Sequence, residues 1–373
     1  MSKDSLMTAR IDRRKLVVGA AGAALAAPIL AQGISPVAAQ DGSDVTLTLV
    51  TDTAGIGDQS FNDMAKKGGD DAVAEFGITL NVLESQTAAD YVPNLTQAAE
   101  SGTLTAAIGF LLTDAVNEVA PTYPDAKFML LDSVADAENV ASVTFKENEG
   151  SFLAGVLAAM ETKTGSLGFV GGVRIPPVIR YEVGFVAGAN SVKPGIDIAI
   201  AYADSFEDPA LGKELALAQY NKGADVLQQA AGRTGVGLFD AAKEKGAGFW
   251  VISGDADQAH LGPDNQLAAV SKRIDNAIVR VVKEVIDDTF AGGVQDLGIA
   301  EGGMDLIAYH AGVSEEGKAA VEYYKQLIAD GTLKTPTDDD TLKAYLAAPT
   351  LYEGGAATPG ASPASSPVAS PVG

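Results

Sequence analysis

Residues 167–202 read LGFVGGVRIPPVIRYEVGFVAGANSVKPGIDIAIAY. Residues 167–172 and 196–202 are short, largely apolar runs of strand length. Between them, 179–192 carries apolar residues at helical spacing. A strand, a helix and a second strand joined by short loops make a parallel βαβ unit, because strands side by side in one direction need a crossover. The same alternation runs on both sides. Upstream, strands are expected at 45–50, 78–83, 105–109, 127–132 and 141–145, with helices at 61–76, 92–100 and 115–120. A helix at 151–162 leads into the quoted unit. Helices at 209–222 and 236–245 then alternate with strands at 225–229 and 248–254. Two successive runs of this kind imply two similar lobes, each a parallel sheet covered on both faces. After Asp255 a long helix is expected at 266–289, an extended stretch at 294–309 and a helix at 314–330. A chain that returns after the second lobe suits lobes joined by several crossings, with a ligand in the cleft between them.

The chain has 373 residues, a formal net charge of -23 and no cysteine. The negative surface repels phosphate backbones, so no nucleic-acid partner is expected. Without cysteine there is no disulfide, thiolate nucleophile, zinc–thiolate site or acylated-cysteine anchor. With two histidines a His-rich metal centre is not expected, and neither a metal nor a cofactor is assigned. Residues 1–39 read as an export signal. Lys3, Arg10, Arg13, Arg14 and Lys15 precede an apolar run at 16–30, and small residues lead to a cleavage site near Ala39. The Arg13-Arg14 pair resembles a twin-arginine signal, with Asp12 where Ser or Thr is usual. The alternative is a retained anchor, for which the run is shorter than the roughly 20 residues a spanning helix needs. The stretch 353–373 is rich in Pro, Ser, Ala and Gly and is expected to be disordered.

Ligands of such sheets sit beyond the carboxyl ends of the strands. After the first strand, Asp58 and Ser60 lead to Phe61 and Asn62 at a helix start. A ring there can stack on a flat ligand, and an amide can donate and accept at once. The bland readings are a core ring and helix caps. Asp132 ends another strand and can accept from a ring N–H or a hydroxyl, or cap a turn. Phe206 in the loop after 196–202 is a second aromatic wall or a packed loop residue. Gly232 in the AAGRTGVG segment lets backbone approach a ligand, and the segment is neither a GxGxxG fingerprint nor a P-loop. Asp255 and Asp257 are paired carboxylates at a strand end, fit for sugar hydroxyls, acid–base work or calcium. Lys272, expected on the helix that follows, can complete the cluster or lie in solvent.

The segments GDQSFND, YPDAKFMLLD, ENEGSFLAGVLAA, SFEDPALGKELALAQYNKGADVLQQAAGRTGVGLFDAAKE and GDADQ, in this order, resemble the basic membrane protein family. These are PnrA-like substrate-binding proteins of ABC importers. The likeness covers about residues 45–309. It implies an α/β type I periplasmic-binding fold, two Rossmann-like lobes joined by a multi-strand hinge. The lobes are expected at 43–140 plus about 256–297, and at 141–255 plus about 305–350. The resemblance also implies a non-enzymatic, exported protein of the periplasm or cell surface. Its partners would be a nucleoside, often a purine one, and an ABC permease with its ATPase. It implies that Phe61 and Phe206 sandwich the base, that Asn62 and Asp132 read its edge, and that Gly232, Asp255 and Lys272 hold the ribose. Asp58, Ser60 and Asp257 are secondary candidates. Many family members carry an acylated cysteine, which is absent here, and the stretch GFLLTDAV is individual to this chain. Other solutes (a sugar, a carboxylate, another heterocycle), a sensor and a nucleoside hydrolase are the alternatives.

Overall fold

The computed structural model describes residues 42–354. The expected export segment at 1–39 and the tail from 355 onward lie outside the described residues. The first five strands are β1 (Thr46–Thr51), β2 (Thr79–Leu83), β3 (Leu104–Ile108), β4 (Lys127–Leu131) and β5 (Val140–Phe145). They alternate with α1 (Phe61–Phe76), α2 (Tyr91–Ser101) and α3 (Thr113–Val119). The chain then makes α4 (Glu147–Glu161), β6 (Ser166–Gly171), α5 (Pro176–Val192), β7 (Asp197–Tyr202), α6 (Pro209–Asn221), β8 (Val226–Ala230), α7 (Val236–Lys245) and β9 (Trp250–Ser253). It closes with β10 (Gln266–Lys272), α8 (Ile274–Ile286), β11 (Gly293–Leu297), β12 (Met304–Ile307), α9 (Glu315–Ala329) and α10 (Asp339–Ala347).

Two six-stranded sheets result, in the orders β11-β5-β4-β3-β1-β2 and β12-β10-β9-β8-β6-β7. Every pairing is parallel except β10 with β12. Central strands such as β3, β8 and β10 are buried along their whole length, as sheets covered on both faces require. The edge strands β2 and β7 are exposed or half-buried throughout.

The helix expected at 266–289 is two elements. Gln266–Lys272 is strand β10, wholly buried between β9 and β12. Its Gln, Leu and Ala residues suit a helix in isolation, and the sheet position overrides that preference. Helix α8 begins at Ile274 and alone shows the amphipathic period, burying Ile274, Ala277, Ile278, Val281, Val282 and Val285. Lys272 therefore ends a strand and is not on a helix. The extended stretch expected at 294–309 is likewise two strands, β11 in the first sheet and β12 in the second. The sheets divide the chain differently from the expected lobe boundaries. Strand β5 pairs in the first sheet, and β10 pairs in the second. Among the described residues the chain passes between sheets at 145/147, 272/274 and 297/304.

Helix α4 starts one turn before the expected 151, at Glu147, and is buried almost all round. It packs on α5 backbone to backbone. A Cβ on Gly155 would lie 2.1 Å from the Phe185 carbonyl oxygen, and one on Gly188 1.9 Å from that of Phe152. Gly188→Ala is therefore expected to destabilise the protein by about 1–3 kcal/mol through overpacking. A chemical-denaturation midpoint equal to that of the wild type would contradict this packing.

Candidate ligand-binding site

One cavity opens where the carboxyl ends of both sheets meet. It contains about 560 Å³ of empty space, including open solvent at its mouth. Phe61, Asn62 and Asp132 line it from the first sheet's side, and Phe206, Gly232, Asp255 and Lys272 from the second's. Asp58 lines it as well. Ser60 and Asp257 are not among the lining residues.

The two phenyl rings enter from opposite lobes, Phe61 from the start of α1 and Phe206 from the loop after β7, and glycines make room for them. A Cβ on Gly109, at φ +114°, would come within 3.3 Å of the Phe61 ring. One on Gly172 would come within 2.3 Å of the Phe206 ring, and Gly232, at φ +53°, packs against the same side chain. Asp132 and Asp255 each follow a strand in the left-handed region, with φ of 65° and 63°. Aspartate tolerates that region better than most side chains.

Helix α1 is capped by Asp58. Its carboxylate accepts the backbone N–H groups of Ser60, Asn62 and Asp63 at 2.8–3.1 Å. The side chain of Ser60 makes no cap. Its hydroxyl crosses to Asp255 Oδ2 at 3.0 Å. The amide nitrogen of Asn62 donates to Asp52 Oδ1 at 2.9 Å and Asp58 Oδ2 at 3.1 Å. With both N–H bonds taken by carboxylates, the amide orientation follows from the network. Asn62 Oδ1 is then left buried and without a partner among the described residues. Burial raises the Asp58 carboxyl to about 6 and raises Asp52 as well.

Lys272 is 1% exposed and donates to Asp132 Oδ2 at 2.5 Å and Glu147 Oε1 at 2.8 Å. Its ammonium lies 5.0 Å from the centroids of Phe61 and Phe145. Arg180 on α5 binds the other Glu147 oxygen at 2.5 Å. Burial disfavours the charge on Glu147, but the Lys272 ammonium and Arg180 guanidinium together hold its carboxyl below the usual value. Burial raises Asp132 to about 6 despite Lys272, with Glu147 adding repulsion. Burial opposes the Lys272 charge too, yet Asp132 and Glu147 keep its ammonium above its ordinary pKa. Asp132 Oδ1 is buried with no partner among the described residues. Asp255 accepts the Tyr181 hydroxyl at 2.8 Å, and burial, with Asp255 alongside, holds that phenol well above its usual pKa.

The carboxylates Asp255 and Asp257 do not act as a pair. Asp257 is exposed, and its Oδ1 accepts from Ala259 N and Gln266 Nε2. Arg233 is exposed and outside the lining. Sequence reasoning missed Glu147, Arg180 and Tyr181. A signal was present: α4 and α5 are rich in apolar and small residues, and a charge on a helix buried on most sides must find a counter-charge. Phe110 and Leu111, from the GFLLTDAV stretch, also line the cavity.

A family model described as ABC transporter substrate-binding protein, PnrA-like, matches residues 45–337. The chain belongs to this family of ABC-transporter substrate-binding proteins. Its fold is the two-lobed type I fold of periplasmic solute-binding proteins, and the family consists of extracytoplasmic binding proteins rather than enzymes. This PnrA-like protein is 37% identical over 319 residues to the CD4+ T-cell-stimulating antigen of Listeria monocytogenes, covering 79% of this chain and 88% of that one. It is 37% identical over 317 residues to the ABC transporter nucleoside-binding protein BmpA of Lactococcus lactis, covering 79% and 90%. The crystal structure of an ABC transporter solute-binding protein from Aeropyrum pernix matches with a TM-score of 0.74 at 31% identity, covering 82% of this chain and 98% of that one. Membership implies a small-molecule ligand and an ABC permease as partner.

Two outcomes test the buried charges of this PnrA-like protein. Lys272→Met leaves Asp132 and Glu147 facing each other without their shared cation, and is expected to cost about 3–5 kcal/mol of stability. A loss under about 1 kcal/mol, in the range of an exposed pair, would contradict the network. Asp58 and Asp132, at about 6 in the fold against 3.8 as free groups, bind more protons folded than unfolded in between. Stability from these groups falls as pH rises through that window. The melting midpoint of the ligand-free protein is thus expected to rise from about pH 7 to about pH 5. Below the ordinary glutamate value, 4.5, Glu147 opposes that rise, because the unfolded chain there takes up a proton that the folded one, with Glu147 held low, does not. A midpoint that falls steadily from pH 7 downward would contradict the assignment.

Proposed function

We propose that the cleft binds a nucleoside, with a purine as the preferred base, and that the closed protein delivers it to an ABC permease outside the cytoplasmic membrane. The observation that carries this reading is the pair of rings, Phe61 and Phe206, entering one cavity from opposite lobes. A flat heterocycle between them gains stacking on both faces, about 1–3 kcal/mol per base–aromatic contact. Asn62 Oδ1 and Asp132 Oδ1 are buried acceptors awaiting donors. A nucleobase edge and ribose hydroxyls supply such donors, and leaving the two oxygens unpaired is costly. In this reading Asn62 and Asp132 meet the base edge, while Gly232, Asp255 and Lys272 face the ribose. The name of the lactococcal relative supports the same ligand class.

The charge of the cavity argues against a nucleotide. Asp52, Asp58, Asp132 and Asp255 line it, against the single cation Lys272, which already serves two carboxylates. A phosphate would meet net negative charge at low dielectric. We further infer that residues 1–39 direct export and that retention at the membrane does not use a cysteine, since the sequence has none.

Calorimetric titration of refolded protein, stripped of carried ligand, tests the reading. Inosine, guanosine or adenosine is expected to bind one to one without turnover, and inosine 5′-monophosphate at least about tenfold more weakly. Absence of binding to every purine and pyrimidine nucleoside would remove the assignment. Monophosphate binding as tight as nucleoside would contradict the electrostatic argument.

A further inference from the structure

The GDADQ segment contributes Asp255 to the cavity, but its last residue, Gln258, is unused by the ligand reading. Gln258 is fully buried and lies outside the cavity lining. Its Nε2 donates to the backbone oxygen of Gln59 at 2.7 Å. Gln59 belongs to the loop after β1 in the first lobe, and Gln258 to the loop after β9 in the second. The bond therefore spans the cleft.

One neighbour, Gln229, determines the orientation of this amide, and Gln266 holds its backbone. Gln229, fully buried, accepts the Ala231 N–H through Oε1 at 2.9 Å and so must present its own Nε2 outward. That nitrogen donates to Gln258 Oε1 at 2.9 Å. The backbone N–H of Gln258 donates to Gln266 Oε1 at 2.9 Å, and Gln266 Nε2 is held by Asp257 at 2.7 Å. With its oxygen occupied, Gln258 has only its N–H groups to offer across the cleft. The receiving loop is equally constrained. Gln59 sits at φ 60°, uncommon for a residue with a side chain, and its N–H donates to Asp63 Oδ2 at 3.0 Å. At the rim the Gln59 side-chain oxygen meets His260 Nε2 at 2.8 Å, joining the same two loops as the bonds of Gln258 to Gln59 and Ser60 to Asp255.

We propose that Gln258, oriented by Gln229 and Gln266, is a catch that holds the two lobes closed, with Gln59 as its keeper and His260 as an outer contact. These are positioning residues that touch no ligand. Their bonds form only in the closed form, so they act on the closed population and on the release rate. Opening exposes the Gln258 amide to water, which replaces the lost partner. The catch therefore adds a modest bias and leaves the cleft able to open. It also gives Asp257 a task, as the anchor of Gln266 rather than a ligand contact.

The test uses Gln258→Glu, close to isosteric, which places a carboxylate oxygen against the Gln59 carbonyl only when the lobes are closed. The chain has no cysteine, so spin labels attach only at introduced sites. Glu118→Cys on α3 and Glu214→Cys on α6 are exposed positions, one on each lobe. With saturating inosine, the otherwise wild-type protein is expected to give one short interlabel distance. Gln258→Glu is expected to add a longer-distance population and to release inosine about tenfold faster. Its ratio of inosine to guanosine affinity should stay unchanged. His260→Ala, which removes only the exposed bond, is expected to speed release about twofold. Wild-type distances and release rates in Gln258→Glu would overturn the catch, as would a changed affinity ratio, which would mean contact with the ligand. If the protein binds no nucleoside, the proposed function fails separately. The labels are then read without ligand, where an unchanged short-distance fraction in Gln258→Glu overturns the catch.

Discussion

A buried ammonium at the junction of the lobes constrains the rest of this protein. Lys272 is the last residue of β10, where the chain leaves the second sheet, and Glu147 is the first residue of α4, where it leaves the first. Desolvating a charge costs several kcal/mol unless opposite charge and hydrogen bonds stand close by. Asp132 from the end of β4 and Glu147 meet that need together, and Arg180 from α5 keeps Glu147 ionised. Two of the crossings between lobes are thus tied to one point, within reach of the ligand cavity. The geometry of hinge and site is set by the same ion pairs.

This arrangement leaves the cavity incomplete in a defined way. Lys272 occupies one Asp132 oxygen and leaves the other bare, and the carboxylates around Asn62 take its nitrogen and leave its oxygen bare. Each buried acceptor without a partner raises the free energy of the ligand-free cleft. A ligand with matching donors removes that penalty, so closure and binding favour one another. The aromatic walls add contact area that does not depend on donor pattern. In the proposed reading affinity has three physically separate sources: the stacked rings, the satisfied acceptors and the bonds between the lobes.

Much of the fold was legible because parallel strands buried on both faces and amphipathic helices leave strong patterns. Helices α1 and α7 begin and end at the residues expected, since Gly77 and Gly246 stop them. The pattern failed at Gln266–Lys272, where a buried strand of Gln, Leu, Ala, Val, Ser and Lys carries no period of its own and runs straight into an amphipathic helix. Its identity depends on the sheet slot between β9 and β12, which is non-local. Of the seven principal candidates, six follow strands or open a helix and Lys272 ends a strand, and all seven line one cavity. Asp257, a secondary candidate beside Asp255 in the sequence, is carried by the turn after β9 onto Gln266 instead, while Asp255 meets Tyr181. The pairing of Glu147 with Arg180 and Lys272 stayed hidden because it joins different elements and depends on how they pack together.

The most direct measurement is a crystal structure of the protein with a bound purine nucleoside. The base is expected between Phe61 and Phe206, with ligand donors about 2.7–3.2 Å from Asn62 Oδ1 and Asp132 Oδ1. A ligand seated elsewhere, or a bound base with those two oxygens paired only to water, would contradict it.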